Sequence, residues 1–176
     1  MEFDFSNQNL TRSYFEDVDL TDATFAGANL SNSEIFSSNL VNVSFDGANL
    51  ERNIWGYLNL ANASLKNANL KGASFRDIDF TDADFTGAII YGASFSWVYG
   101  FTLSQLYSTA SYQDHNLARI EFYNLDFAGA DLSNQNLRNV EISYTDFTDA
   151  TFTGADLSES YLHGNAFANA DFSGAN

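Results

Sequence analysis

The chain has 176 residues, 45% of them hydrophobic, with no Cys and no Pro, and a formal net charge of -16 from 23 Asp and Glu against 7 Lys and Arg. That length fits one domain, and that apolar content fits a packed core rather than disorder. Without Cys there can be no disulfide, thiolate metal site or Cys nucleophile, and the negative balance disfavours bare nucleic acid and anionic lipid while favouring basic surfaces.

A large apolar residue falls on every fifth position from Phe5 to Phe95, 19 positions with no polar exception. A period of five suits neither an α-helix nor an isolated strand, and marks a solenoid. Calling this position the centre, the residue two before it is preferentially Ala, as at Ala23, Ala28, Ala48 and Ala63. Asn, Asp, Ser or Thr precedes the centre directly. Gly, Asn and Asp are common two after it, as in Gly27 and Gly47. The unit therefore reads Ala–Asn/Asp–Leu/Phe–x–x, as ANL at 28–30 and 48–50 and ADF at 83–85.

These units resemble the pentapeptide-repeat family over most of the chain. The resemblance implies an all-β fold, a right-handed quadrilateral parallel β-helix with four pentapeptides per coil. The centre and the Ala two before it then point inward, and the other three positions face solvent. A tube one coil wide takes one large side chain per side and a small inward neighbour. Its corners favour Gly and Asn, where φ is positive.

Four units per coil give four columns of centres. Phe5, Phe25, Phe45, Leu65 and Phe85 stack on side one, and Leu10, Leu30, Leu50, Leu70 and Ile90 on side two. Phe15, Ile35, Trp55, Phe75 and Phe95 stack on side three, and Leu20, Leu40, Leu60 and Phe80 on side four. The aromatic columns read as core packing, not as a ligand box. Polar residues at inward positions, Gln8, Asn53, His115, Gln135 and Asn165, need hydrogen-bond partners from corner carbonyls or adjacent coils.

The count then fails. The expected organisation is one solenoid domain over 1–176: a first repeat block at 1–96, a helical interruption at 97–107, and a second repeat block at 108–176. Within the interruption, Thr102 and Gln105 form a capping-box pattern, and Leu103, Leu106 and Tyr107 share one helix face. Gly100 supplies the bend before it. A short helix is expected, with STASY at 108–112 already back in the repeat. Twelve further centres run from Leu117 to Phe172.

No catalytic, phosphate-binding, dinucleotide or calcium motif is present, and the two His are far apart in sequence. The reading is a non-enzymatic scaffold or protein-interaction module with no cofactor and no metal. Its candidate partner-binding residues fall in two groups. Trp97, Tyr99, Phe101 and Tyr107 are the aromatics of the interruption, where a regular scaffold is broken. Glu121 over Glu141, and Asp126 over Asp146, form acidic ladders one coil apart.

The alternative comes from the resemblance: some members of that family mimic duplex DNA and bind DNA gyrase or another type II topoisomerase. A stack of some eight coils makes a ~38 Å rod at strand spacing, so the charge density approaches that of DNA. Expected partners are thus a protein, with a type II topoisomerase as the specific alternative. Direct contact with nucleic acid or membrane is not expected. Apolar side chains at both ends of the tube, Phe3 and Phe5 against Phe167 and Phe172, add an expectation of end-to-end homodimers. With neither a signal-peptide pattern nor a membrane-length apolar run, the expected location is the cytoplasm.

Overall fold

A computed structural model describes residues 3–176, and its architecture follows the repeat. Strands β1 (Tyr14–Glu16), β2 (Glu34–Phe36), β3 (Ile54–Asn59), β4 (Ser74–Asp79), β5 (Ser94–Ser96), β6 (Glu121–Tyr123), β7 (Glu141–Ser143) and β8 (Tyr161–His163) form one parallel sheet in chain order. Each coil contributes one strand, so the molecule is a parallel β-solenoid of about eight turns. The sheet is side three, and its centres pair in register as Phe15, Ile35, Trp55, Phe75 and Phe95. The other sides are held by single bridges between residues 20 apart, such as Thr24 with Ser44 and Asn49 with Asn69.

Backbone groups are satisfied along the axis. Phe25 N–H donates to the Ser44 carbonyl at 2.7 Å, and Ser44 N–H returns to the Ala23 carbonyl at 3.0 Å. Corners lie two residues after each centre, in the left-handed region: Asn32 at φ 57°, Asn62 at 57° and Asp82 at 55°. Asn and Asp tolerate this conformation better than other side chains, which is why they recur there. The centres from Leu20 to Phe152 are buried, and the terminal coils are more open, with Phe3 45% and Phe172 38% exposed.

Asn53 and Asn165, inward and polar, find partners for both amide atoms. With its amide oriented to suit its neighbours, Asn53 donates to the Leu30 carbonyl at 2.6 Å and accepts from Trp55 Nε1 at 3.0 Å. Asn165 donates to the Ile142 carbonyl at 2.9 Å and accepts from Thr145 N–H at 2.9 Å. Gln135 is the exception: its Nε2 donates to the Tyr112 carbonyl at 3.0 Å and lies 3.4 Å from His115 Nδ1, but its buried Oε1 has no partner among the described residues, while Gln8 and His115 are themselves exposed.

The interruption begins later and ends later than the sequence suggests. Val98 still points inward and Tyr99 still bridges Asp79, so the repeat persists to Tyr99. It breaks at Gly100, whose φ is +68°. Helix α1 (Leu103–Ser108) follows, with both halves of the Thr102–Gln105 capping box formed. A second helical turn, α2 (Ala110–Gln113), occupies the stretch that reads as a repeat in the sequence. Thr109 explains the difference: extended at φ -69° and ψ 147°, it ends α1, and its side chain accepts from Tyr112 N–H to start α2.

The sheet nevertheless runs through uninterrupted. Phe95 pairs with Phe122, 27 positions on, where a regular coil advances 20. Side chains from the helices cover the backbone edge that the broken coil leaves open. Gln105 Nε2 donates to the Phe80 and Ala83 carbonyls at 2.9 and 2.8 Å. Ser111 Oγ accepts from the buried Ile90 N–H at 2.9 Å.

Candidate protein-interaction face

The eight candidate residues do not form one site. Phe101 is a correction: it is 6% exposed and stacks on Phe95 at 4.6 Å and 16°. After the bend at Gly100 its ring fills the core place that a centre would have taken, so it is unavailable to a partner. Tyr107 is structural as well. Its hydroxyl accepts from Asp131 N–H at 2.8 Å, and its ring packs 4.6 Å from Tyr112. Tyr112 in turn donates to the Asp131 carbonyl at 2.8 Å. Burial, then the neighbouring Tyr107 and Asp131, push the Tyr112 phenol up to about 12.

Trp97 and Tyr99 are outward positions of the repeat rather than parts of the insertion, and both are exposed, at 41% and 63%. Tyr99 lies on side four beside Asp126, and both line a depression at the foot of α1. Asp126 and Asp146 are bridged as predicted. The hydroxyl and then the backbone N–H of Thr148 hold the Asp146 carboxyl below its usual range.

Trp97 lies on the sheet side, one residue beyond β5, where Glu121 and Glu141 are direct partners across β6 and β7. Two carboxylates facing each other across a ladder repel. Among the described residues, neither has a Lys, Arg or His within ion-pair distance. A groove of about 110 Å³ lies between these rungs, lined by Ser94, Ser96, Tyr123 and Ser143.

Sequence reasoning missed the aromatic strip beside this groove. Trp97 packs on Tyr123 at 5.0 Å, Tyr123 on Tyr144 at 5.2 Å, and Tyr144 on His163 at 5.4 Å. Tyr161 stacks on His163 at 5.9 Å. Gly164 leaves room for this packing, since a Cβ there would lie 2.9 Å from the Tyr144 ring. The same side continues upward with Tyr14, Ile54 and Tyr57, exposed at 58%, 48% and 60%.

Tyr57, Trp97 and Tyr144 occupy left-handed corners at φ 58°, 55° and 56°. Bulky aromatics are disfavoured in that region, and Asn, Asp or Gly fills most of the equivalent corners. The signal was in the sequence: an aromatic two residues after a centre breaks the corner rule at these three places.

Among the described residues, no three or more His, Asp or Glu side chains gather as a metal would require. Among those same described residues, no helix is long and apolar enough to cross a membrane.

Comparison with known proteins agrees with the geometry. The family model for pentapeptide repeats matches in eight copies, over residues 4–35, 13–52, 59–97, 116–154 and 145–176. No curated protein matches significantly. Among solved structures, the chain is similar to HetL, a pentapeptide repeat protein involved in heterocyst differentiation regulation in the cyanobacterium Nostoc sp. strain PCC 7120. The two share 18% identity over 99% of this chain and 90% of HetL, with a TM-score of 0.58. Rfr23 of the cyanobacterium Cyanothece 51142 is 22% identical over 64% of this chain and 82% of its own, with a TM-score of 0.51. Full-length QnrB1, a plasmid-mediated fluoroquinolone resistance protein, is 18% identical over 99% and 92% of the two chains, with a TM-score of only 0.42. At these identities HetL and Rfr23 speak to the fold alone. With its five-residue period, its parallel coils and a family match over most of its length, the chain belongs to the pentapeptide-repeat family.

Proposed function

We propose that the chain is a non-enzymatic interaction scaffold whose docking face is side three, and that its partner presents Arg- or Lys-bearing segments. The observation that carries this reading is the placement of Tyr57, Trp97 and Tyr144, all exposed and all at positive φ. Each costs backbone strain and leaves apolar surface in water, with no return in core packing. Such departures from a local rule are expected at functional positions. Glu121 and Glu141 supply the complementary charge, and the aromatic faces attract cations at about 0.5–1 kcal/mol each.

The structure offers a direct readout. Trp55 is 1% exposed and Trp97 41%, and the chain has no other Trp. In a Trp55→Phe background the emission therefore reports on Trp97. An Arg-rich extended peptide is expected to change it saturably, more weakly at high salt and weakly in Glu121→Gln/Glu141→Gln. No saturable change, or an equal response to an acidic peptide of the same length, would reject the docking face.

The second reading, a DNA mimic acting on a type II topoisomerase, draws on the two acidic ladders. Each is only two rungs long: Glu141 pairs next with Tyr161, and Asp146 with Ala166. Neither ladder continues past its second rung, which favours the first reading. Inhibition of gyrase supercoiling by the purified protein would reverse that preference.

A further inference from the structure

A second feature lies on a different edge and is of opposite sign. The corner after side two runs as a continuous line of backbone bonds: Arg52 N–H to the Lys71 carbonyl, Gly72 N–H to Tyr91, Gly92 N–H to Ala118, and Arg119 N–H to Arg138. Although the chain has only 7 Lys and Arg in all, Arg52, Lys71, Arg119 and Arg138 collect on this line.

Gly72 and Gly92 are the rungs between Arg52 and Arg119. They leave a notch of about 270 Å³, walled by Arg52 and Arg119 and flanked by Lys71 and Tyr91, with one carboxylate, Glu51, at its edge beside Arg52. The two arginines are three rungs apart, ~14 Å along the backbone, within reach of one ligand for side chains of that length. The left-handed corner does not itself demand glycine here. Asn serves at Asn32 and Asn139 in the same line, at φ 57° and 55°. Nor does packing demand it, since a Cβ on Gly72 would lie 3.5 Å from Arg52 Cγ, and one on Gly92 3.9 Å from Arg119 Cβ. What the glycines provide is space between cations.

Those cations are poorly neutralised for a chain with 23 Asp and Glu. Among the described residues, Arg52 has only Glu51, at 3.6 Å, and Lys71 and Arg119 have no carboxylate within ion-pair distance. Arg138, by contrast, is held by Asp156 at 3.2 Å and Glu159 at 3.6 Å, outside the notch. Clustered like charges on an acidic protein repel one another unless an anion joins them. Lys71 and Tyr91 also line an adjoining groove of about 500 Å³, which the interruption completes with Ser111, Asn116 and Asp114. Asp114 repels a second negative charge there, so the groove suits a neutral, hydrogen-bonding body behind a single anionic head.

We infer that the Gly72–Gly92 notch is an oxyanion-binding site, taking a phosphate or carboxylate head between Arg52, Lys71 and Arg119. This site stands apart from the docking face of side three and does not depend on it. Titration of the full chain by ¹⁵N–¹H NMR tests it, with inorganic phosphate in one arm and acetate in the other, at constant ionic strength set with chloride. Saturating shifts are expected at the Gly72, Gly92 and Arg119 amides, and the arm that saturates identifies the head group. Lys71→Gln and Arg119→Gln should each weaken binding at least about tenfold, the scale of one charge-assisted contact. Lys66→Gln, which removes a cation paired with Asp84 at 3.2 Å, should leave binding unchanged. Gly72→Asn/Gly92→Asn keeps the corner conformation but fills the notch, and should abolish binding without lowering the thermal midpoint. Failure to saturate in both arms, shifts of equal size at Lys66 and Arg76, or binding that survives in the Lys71 and Arg119 variants would each overturn the assignment.

Discussion

The Tyr107 hydroxyl accepts a hydrogen bond from the backbone N–H of Asp131 at 2.8 Å. In a regular coil that N–H would donate to a carbonyl 21 residues earlier, as Thr151 N–H does to Ala130. The Asp131 carbonyl is likewise satisfied by Tyr112 instead of by a backbone N–H. Two phenols thus close the strand edge that the helices expose, and couple the interruption to the second block.

Tyr107→Phe and Tyr112→Phe each remove one such bond while keeping the ring. Because Asp131 is exposed, water takes up part of the loss. Each variant is expected to lose about 0.5–1.5 kcal/mol in urea unfolding. Hydrogen exchange should rise first at Asp131. Unchanged protection there would show that the phenols do not close the edge.

The raised Tyr112 phenol gives an alkaline signature. In the unfolded chain it loses its proton near 10, and in the fold only at about 12. Between these values the unfolded state is the more deprotonated, so rising pH favours unfolding. The contribution is complete below pH 10 and is lost as pH climbs to about 12. Tyr14 is also raised, through its hydrogen bond with Glu16, so wild type must be compared with Tyr112→Phe. Thermal midpoints of the two proteins should converge over that window.

The aromatic corners predict a trade between stability and binding. Trp97→Asn and Tyr144→Asn place a corner-tolerant residue at φ 55° and 56°. Each is expected to leave stability unchanged or to raise it by up to about 1 kcal/mol. Response to an Arg-rich peptide should fall in both, followed for Trp97→Asn by calorimetry. Marked destabilisation would instead make these rings part of the fold's own support.

Entry into the interruption depends on Gly100 and Phe101. A Cβ on Gly100 would lie 2.5 Å from Thr81 N and 2.6 Å from its Cα, where neither backbone can yield cheaply. Gly100→Ala should therefore cost at least about 2 kcal/mol. Gly47→Ala has the same sign of φ and nothing within 4 Å, and should cost only about 1 kcal/mol. Phe101→Ala should cost about 3–5 kcal/mol as a core truncation. Denaturant midpoints order the three; a near-neutral Phe101→Ala would return that ring to the surface.

Much of the solenoid was legible because its rules are local. A large residue every fifth place, Ala two before it and Asn or Gly at the corner are dictated within one coil, and Phe15, Ile35 and Trp55 fall in register with no adjustment. The capping box of Thr102 and Gln105 was legible for the same reason. Less was legible of the site. Phe101 and Tyr107 read as a surface cluster because the sequence shows nearness along the chain and not across coils. Asp131, which binds Tyr107, and Phe95, which stacks on Phe101, are other coils' residues.

The order of amino acids dictates the coil, its core and its corners, since each pentapeptide meets the same constraints of burial and φ. How many residues the broken coil spends before Phe122 pairs with Phe95 is set by the stacking of coils in three dimensions. The same stacking sets which side the exposed aromatics share, and brings Arg52 and Arg119 to either side of two glycines. Those relationships depend on how coils stack across the interruption, and a five-residue count carries no information about register once it has been broken.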